Sequence, residues 1–107
     1  MSKLIEVNDE VFDAKVLGEP IALVDFSSSF CGPCARQMPI LEQLADKHPD
    51  VKFFKVDISD CPETTSHYNI RSIPTLILFK DGKEVYTKTG LTSLIELESN
   101  LQKSLKN

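Results

Sequence analysis

The sequence predicts an α/β domain: a central mixed five-stranded sheet flanked by four helices, in the order βαβαβαββα. Three observations carry this. Short runs of strand length (residues 21–26, 51–56, 75–80 and 83–88), the first of them nearly continuous apolar residues, are separated by segments of helical period or turn composition. Asp81-Gly82 lies between the last two runs, a strong short-range signal for a two-residue hairpin and so for an antiparallel pair. The earlier strands alternate with helices, which calls for parallel neighbours joined by right-handed crossovers. A chain of 107 residues makes one domain, 1–107, and buries about two-thirds of its unfolded surface, enough for a core without disulfide or metal staples.

Taken in order, residues 4–7 form a short strand. Asn8 then N-caps a helix, with Asp9 and Glu10 in its first turn and Val7 and Phe12 as a hydrophobic staple; Gly18 and Pro20 end it. Residues 21–26 are almost continuously apolar, as in a strand buried on both faces, and Asp25 is the one charge within it. In the next helix Met38, Leu41, Leu44, Ala45 and His48 fall on one face; Pro39 kinks it and Pro49 lies beyond its end. Residues 51–56 alternate, with Val51, Phe53 and Lys55 on one face. Residues 61–69 are polar and hold a helical turn or two. After the hairpin, Ser93 and Glu96 form a capping box for a last helix with Leu94, Leu97, Leu101 and Leu105 as its apolar stripe.

The chemistry centres on Phe30-Cys31-Gly32-Pro33-Cys34, where the strand of residues 21–26 gives way to a helix. Cys31 falls at the helix N-terminus, where unpaired N–H groups and the positive end of the helix dipole favour a thiolate. Cys34 lies about one turn further in, close enough to hydrogen-bond that thiolate and later to attack a mixed disulfide formed on it. Gly32 permits the tight turn, and Pro33 suits a first turn in which its missing N–H has no partner to lose. Lowering a thiol pKa from about 8.5 to about 7 takes about 2 kcal/mol, the scale of a helix terminus plus one hydrogen bond. The accompanying loss of nucleophilicity leaves only about a threefold gain in attack rate at neutral pH, so orientation of the target and the quality of the leaving thiolate supply the rest.

Other classes fit poorly. The formal net charge of -4, with 12 Lys and Arg against 16 Asp and Glu in no dense basic cluster, argues against nucleic acid or an anionic membrane as partner. Met1 to Ile5 lead into Glu6 and Asp9 with no apolar stretch of signal-peptide length, and no transmembrane run occurs, so the expected place is the cytoplasm. Three cysteines in a reducing compartment suit one reactive dithiol and a spare thiol, Cys61. A zinc site would need four ligands; only Cys61, His48 and His67 remain, none at ligand spacing, so no metal is expected, and the histidines and Cys61 read as surface residues and an inert thiol. Asp25 inside its apolar run is expected to be buried, with a raised pKa suited to proton transfer.

Four separated features then resemble the thioredoxin family across essentially the whole chain: Cys31-Gly32-Pro33-Cys34, the Val24-Asp25-Phe26 run, Ile73-Pro74-Thr75, and Phe79-Lys80-Asp81-Gly82 with Gly90 beyond. The resemblance implies the thioredoxin fold and protein-disulfide reduction through a redox-active Cys31–Cys34 disulfide, with no other cofactor. It implies a cis bond before Pro74, backbone hydrogen bonds from Ile73 to substrate, and contact with substrate by Phe30, Gly32, Pro33 and Gly90. It places Asp25 behind Cys34 near Lys55, which then tunes its pKa. The implied partners are disulfide-containing proteins and a flavin- or ferredoxin-linked thioredoxin reductase, met by a monomer. The chain departs from the family in having Phe30 where Trp usually precedes the first cysteine, Ser27, Ser28 and Ser29 after the aspartate motif, and no Trp at all. Cys61 falls where some animal members carry an extra cysteine, but Tyr68 occupies the usual partner position, so no second disulfide is expected. A rival from another class is a non-catalytic binding module using the same scaffold within a complex; the intact dithiol argues against it.

Overall fold

The strand that positions everything else is β2 (Ile21–Ser27), all seven residues of which are buried. It is central because β3 (Lys52–Asp57) pairs with it in parallel on one side and β4 (Thr75–Lys80) antiparallel on the other. The edges are β1 (Ile5–Glu6), parallel to β3, and β5 (Lys83–Thr89), antiparallel to β4, giving the order β1-β3-β2-β4-β5. The helices are α1 (Phe12–Val16), α2 (Gly32–Lys47), α3 (Pro62–His67) and α4 (Leu94–Leu105). The structure is a computed structural model and describes residues 3–106.

Alternation along β2 divides the core in two. Ile21 and Leu23 pack with Leu41, Leu44, Leu97 and Leu101 of α2 and α4. Ala22, Val24 and Phe26 pack on the opposite face with Phe12, Val16 and Tyr68 around α1 and α3. There the rings of Phe12, Tyr68 and Phe79 meet at centroid separations of 5.4 to 6.1 Å, the range of favourable aromatic pairs. By the same alternation Asp25 and Ser27 lie on the α2 face, beneath the start of that helix.

The predicted order of elements holds, with local corrections that have physical causes. Asn8 Oδ1 accepts from Val11 N at 3.2 Å, but it closes a turn, and α1 begins only at Phe12. Asp9 does not serve α1: it reaches across the chain to the start of α3, accepting from Glu63 N (3.1 Å), Thr64 N (2.9 Å) and Thr64 Oγ1 (2.6 Å). Those orphan N–H groups need an anion because Cys61, the residue in the cap position, supplies no side-chain bond. Val51 and Phe53 pack on one face of the sheet as the alternation predicts, while Phe54 and Val56 are buried on the other, because helices cover both faces. α2 continues through Pro39, and its buried residues are Cys34, Gln37, Leu41, Leu44 and Ala45, with Met38 partly buried against the same core as Leu41, Leu44 and Ala45. His48 is not a free surface residue: its Nε2 lies 2.8 and 2.9 Å from the Glu98 carboxylate oxygens, tying the end of α2 to α4.

At the hairpin, Asp81 (φ 52°) and Gly82 (φ 79°) both adopt the positive φ that a two-residue turn of matching twist requires. Half of the capping box forms: Ser93 Oγ accepts from Glu96 N at 3.2 Å. The Glu96 carboxylate turns instead to Tyr86 OH (2.7 Å) and Lys88 Nζ (3.4 Å), anchoring α4 to β5. Leu97 and Leu101 are buried, whereas Leu105 is largely exposed, so the α4 stripe is shorter than its leucine spacing implies.

Candidate active site

The end of β2 and the start of α2 are joined by only four residues, so the first turn of α2 stands directly over the carboxyl end of the central strand. Cys31 is the N-cap of α2, with extended backbone (φ -118°, ψ 112°), and its Sγ accepts from Cys34 N at 3.2 Å. A sulfur thus fills the capping place that a Ser or Asp oxygen ordinarily takes. Its donor is one of the orphan N–H groups that would stabilise a thiolate. Cys31 and Cys34 are joined by a disulfide, with Cα atoms 5.2 Å apart. Cys34 is 3 % exposed, while Cys31 is only partly covered, so the two sulfurs differ in access.

The Ile73-Pro74 bond is cis, and Cys31 Sγ lies 3.9 Å from the Ile73 carbonyl oxygen. Pro74 is buried, and its carbonyl accepts from Gly90 N at 2.7 Å. Gly90 has φ 93°, a conformation that side chains rarely adopt. Gly32 is exposed, Pro33 partly covered, and Phe30 stands wholly in solvent. The ring of Phe30 therefore packs on nothing, and its apolar face is available rather than folded over Cys31.

Asp25 is fully buried and in register with Lys55 on β3. Neither of its carboxylate oxygens has a protein hydrogen-bond partner, nor has Ser27 Oγ. Burial pushes its carboxyl up to about 7, partly opposed by the positive charge of Lys55. Ser27, Lys55, Met38 and both cysteines line a recess of about 160 Å³. The arrangement thus combines an exchangeable disulfide at a helix terminus with a carboxyl group poised between its two charge states near neutral pH.

One buried polar residue was not legible in the sequence. Gln37, fully buried in the α2 stripe, donates from Nε2 to Thr92 O (3.0 Å) and accepts at Oε1 from Thr92 N (2.8 Å). The available signal was its spacing, three after Cys34 and four before Leu41, which puts it on the core face.

Cys61 is 1 % exposed, its Sγ donates to Val7 O at 3.5 Å, and burial pushes its thiol pKa up. It forms no disulfide. Cys61→Ser should leave turnover nearly unchanged and move the reduction potential by less than about 30 mV, or ~1.4 kcal/mol for a two-electron couple; a larger shift in a thiol–disulfide redox titration would draw Cys61 into the active system. Among the described residues no group of three or more His, Cys, Asp or Glu could hold a metal ion. Among the same residues no helix is long and apolar enough to cross a membrane.

A disulfide between cysteines three positions apart, at the start of a helix over the end of a mixed sheet, with the carbonyl that precedes a cis proline 3.9 Å from its first sulfur, defines a thiol–disulfide oxidoreductase domain. The thioredoxin family profile matches residues 3–103. A thioredoxin of Chlamydia trachomatis serovar D is 43 % identical over 102 residues, covering 92 % of this chain and all of the relative. A thioredoxin of Alicyclobacillus acidocaldarius is 42 % identical, covering 89 % and 91 % of the two chains. Thioredoxin 1 of Synechococcus elongatus is 41 % identical, covering 98 % of this chain and all of its own. The chain belongs to the thioredoxin family. Its activity is disulfide reduction by dithiol–disulfide exchange, carried by its own cysteine pair without a further cofactor. Members of the family reduce disulfide substrates and are themselves reduced by a thioredoxin reductase.

Proposed function

We propose that Cys31 is the attacking thiol and Cys34 the resolving one in a general protein-disulfide reductase. The Cys31 thiolate attacks one sulfur of a substrate disulfide, forming a mixed disulfide and expelling the other sulfur as a thiolate, which takes up a proton. The Cys34 thiol then gives its proton to the Asp25 carboxylate and attacks Cys31 Sγ. The Cys31–Cys34 disulfide closes, the second substrate thiolate leaves, and two electrons have passed from dithiol to substrate. Lys55 acts through Asp25 by favouring its ionised form. The observation that carries the assignment is the 3.2 Å contact of Cys34 N with Cys31 Sγ, together with the burial of Cys34.

Ile73, Pro74 and Gly90 form the edge along which substrate backbone lies, flanked by Phe30, Gly32 and Pro33. The support for this is the approach of Ile73 O to Cys31 Sγ and the tie between Gly90 and Pro74. The whole chain, 1–107, acts as one domain and as a monomer in the cytoplasm, with electrons drawn from a flavin- or ferredoxin-linked reductase. Reduction of a disulfide-bonded protein such as insulin, driven by dithiothreitol, tests the reading. Acceleration that requires both cysteines is expected. No acceleration, with a partner bound equally by the oxidised and reduced chain, would mean a scaffold without catalysis.

A further inference from the structure

We infer that Gln37 is a positioning residue for substrate recognition, because its amide clamps Thr92 to the redox helix and thereby sets where the loop 90–92 stands relative to the dithiol. The inference rests on the proposed substrate edge at Ile73, Pro74 and Gly90 and assigns what holds that edge in place.

A primary amide with 0 % exposure in an otherwise apolar stripe is tolerated only when its donors and acceptor are paired. Both ends of Gln37 are spent on one residue, Thr92, 55 positions away, accepting from its N–H and donating to its C=O. Thr92 lies between the end of β5 and the start of α4, outside the strand ladders and the helices. From Thr92 the bonding continues: its Oγ1 donates to Gly90 O at 2.9 Å, and Gly90 N donates to Pro74 O at 2.7 Å. Ile73, one residue back, brings its carbonyl to 3.9 Å from Cys31 Sγ.

These contacts close a ring that leaves α2 at Gln37, passes through Thr92, Gly90 and Pro74, and returns to α2 at Cys31. The sheet alone fixes β4 and β5; the ring fixes the loop beyond β5 against the helix that carries the sulfurs. Between the two tied residues, Leu91 is 46 % exposed, an apolar side chain presented by the clamped loop. That chemistry suits an apolar residue flanking the half-cystine of a protein substrate. Gln37→Leu keeps the volume but leaves the Thr92 N–H and C=O without these partners, so the loop, and Leu91 with it, loses its fixed position.

The test is a comparison of kcat and KM for a disulfide-bonded protein in Gln37→Leu, Thr92→Val, Leu91→Ser and Phe30→Ala, alongside the rate with a small aromatic disulfide. Gln37→Leu is expected to raise KM for the protein about tenfold with kcat held within about twofold, and to slow the small disulfide less than about twofold. Should Gln37→Leu fail to fold, Thr92→Val, which keeps the clamp and breaks only the link to Gly90, is expected to raise KM about threefold with the same split. Equal losses on both substrates, or an unchanged KM in folded Gln37→Leu, would overturn the inference. If Leu91→Ser and Phe30→Ala raise KM while folded Gln37→Leu does not, the substrate edge stands and the clamp falls. If none of the variants alters KM, the edge itself is wrong.

Discussion

Cys34→Ser is expected to lose reductase turnover by about a thousandfold or more while accumulating covalent mixed disulfides through Cys31. The variant retains the sulfur at the N-cap of α2, to which attack is assigned above, and removes only the buried one proposed to release the mixed disulfide. A serine hydroxyl cannot displace a thiolate from a disulfide, so each attack ends in a dead complex. Cys31→Ser loses turnover to a similar extent but should trap little, because Cys34 is 3 % exposed and meets incoming disulfides poorly. Incubating each variant with a cell extract and comparing what dithiothreitol releases reads the difference directly and lists the substrates. Equal trapping by both would reverse or abolish the order of attack.

Asp25→Asn is expected to flatten the pH dependence of both stability and mixed-disulfide resolution. In the folded chain burial raises the Asp25 carboxyl from its ordinary 3.8 to about 7, so the folded state holds this proton more tightly than the unfolded state does. The associated stabilisation is complete below about pH 4, declines as pH rises from about 4 to about 7, and is gone above that. The native chain should therefore lose up to about 4 kcal/mol between pH 4 and pH 8 through this group alone. Asn, which does not titrate, removes that slope, so the variant should gain on the native chain as pH rises. It also removes the proposed proton acceptor, so resolution near neutral pH should slow. Parallel stability curves for the two proteins from pH 4 to pH 8 would show that Asp25 is not the buried acid described here, and unchanged turnover from pH 6 to pH 8 would remove it from the mechanism.

Local signals in this chain carried the architecture, while pairings across the chain stayed hidden. Asp81-Gly82, the nearly continuous apolar run of β2 and the cysteine pair at a strand–helix junction are each decided within a few residues, and all three stand in the structure as the sequence implies. Asp25 was legible because a charge among apolar neighbours is conspicuous. Asp9 was misassigned because its partners lie 54 and 55 residues away at α3; from sequence alone an Asp after Asn8 belongs to the nearest helix. Gln37 failed for the same reason: a polar residue on a helix reads as solvent-facing until its partner Thr92 is known. Glu96 kept its place in the first turn of α4, yet its carboxylate was drawn off by Tyr86 and Lys88 from a neighbouring strand. The residues opposite the disulfide, Ile73, Pro74 and Gly90, carry no local signature of their own, so their place came from resemblance to a family rather than from spacing.

The central claim is that the helix terminus makes Cys31, and not Cys34, the reactive sulfur. The most direct test is to reduce the protein, remove the reductant, expose it briefly at pH 7 to iodoacetamide below stoichiometry, and map the label by peptide mass. The structure predicts label on Cys31 in roughly tenfold excess over Cys34, with Cys61 unlabelled; equal labelling of the pair, or label chiefly on Cys34, would contradict it.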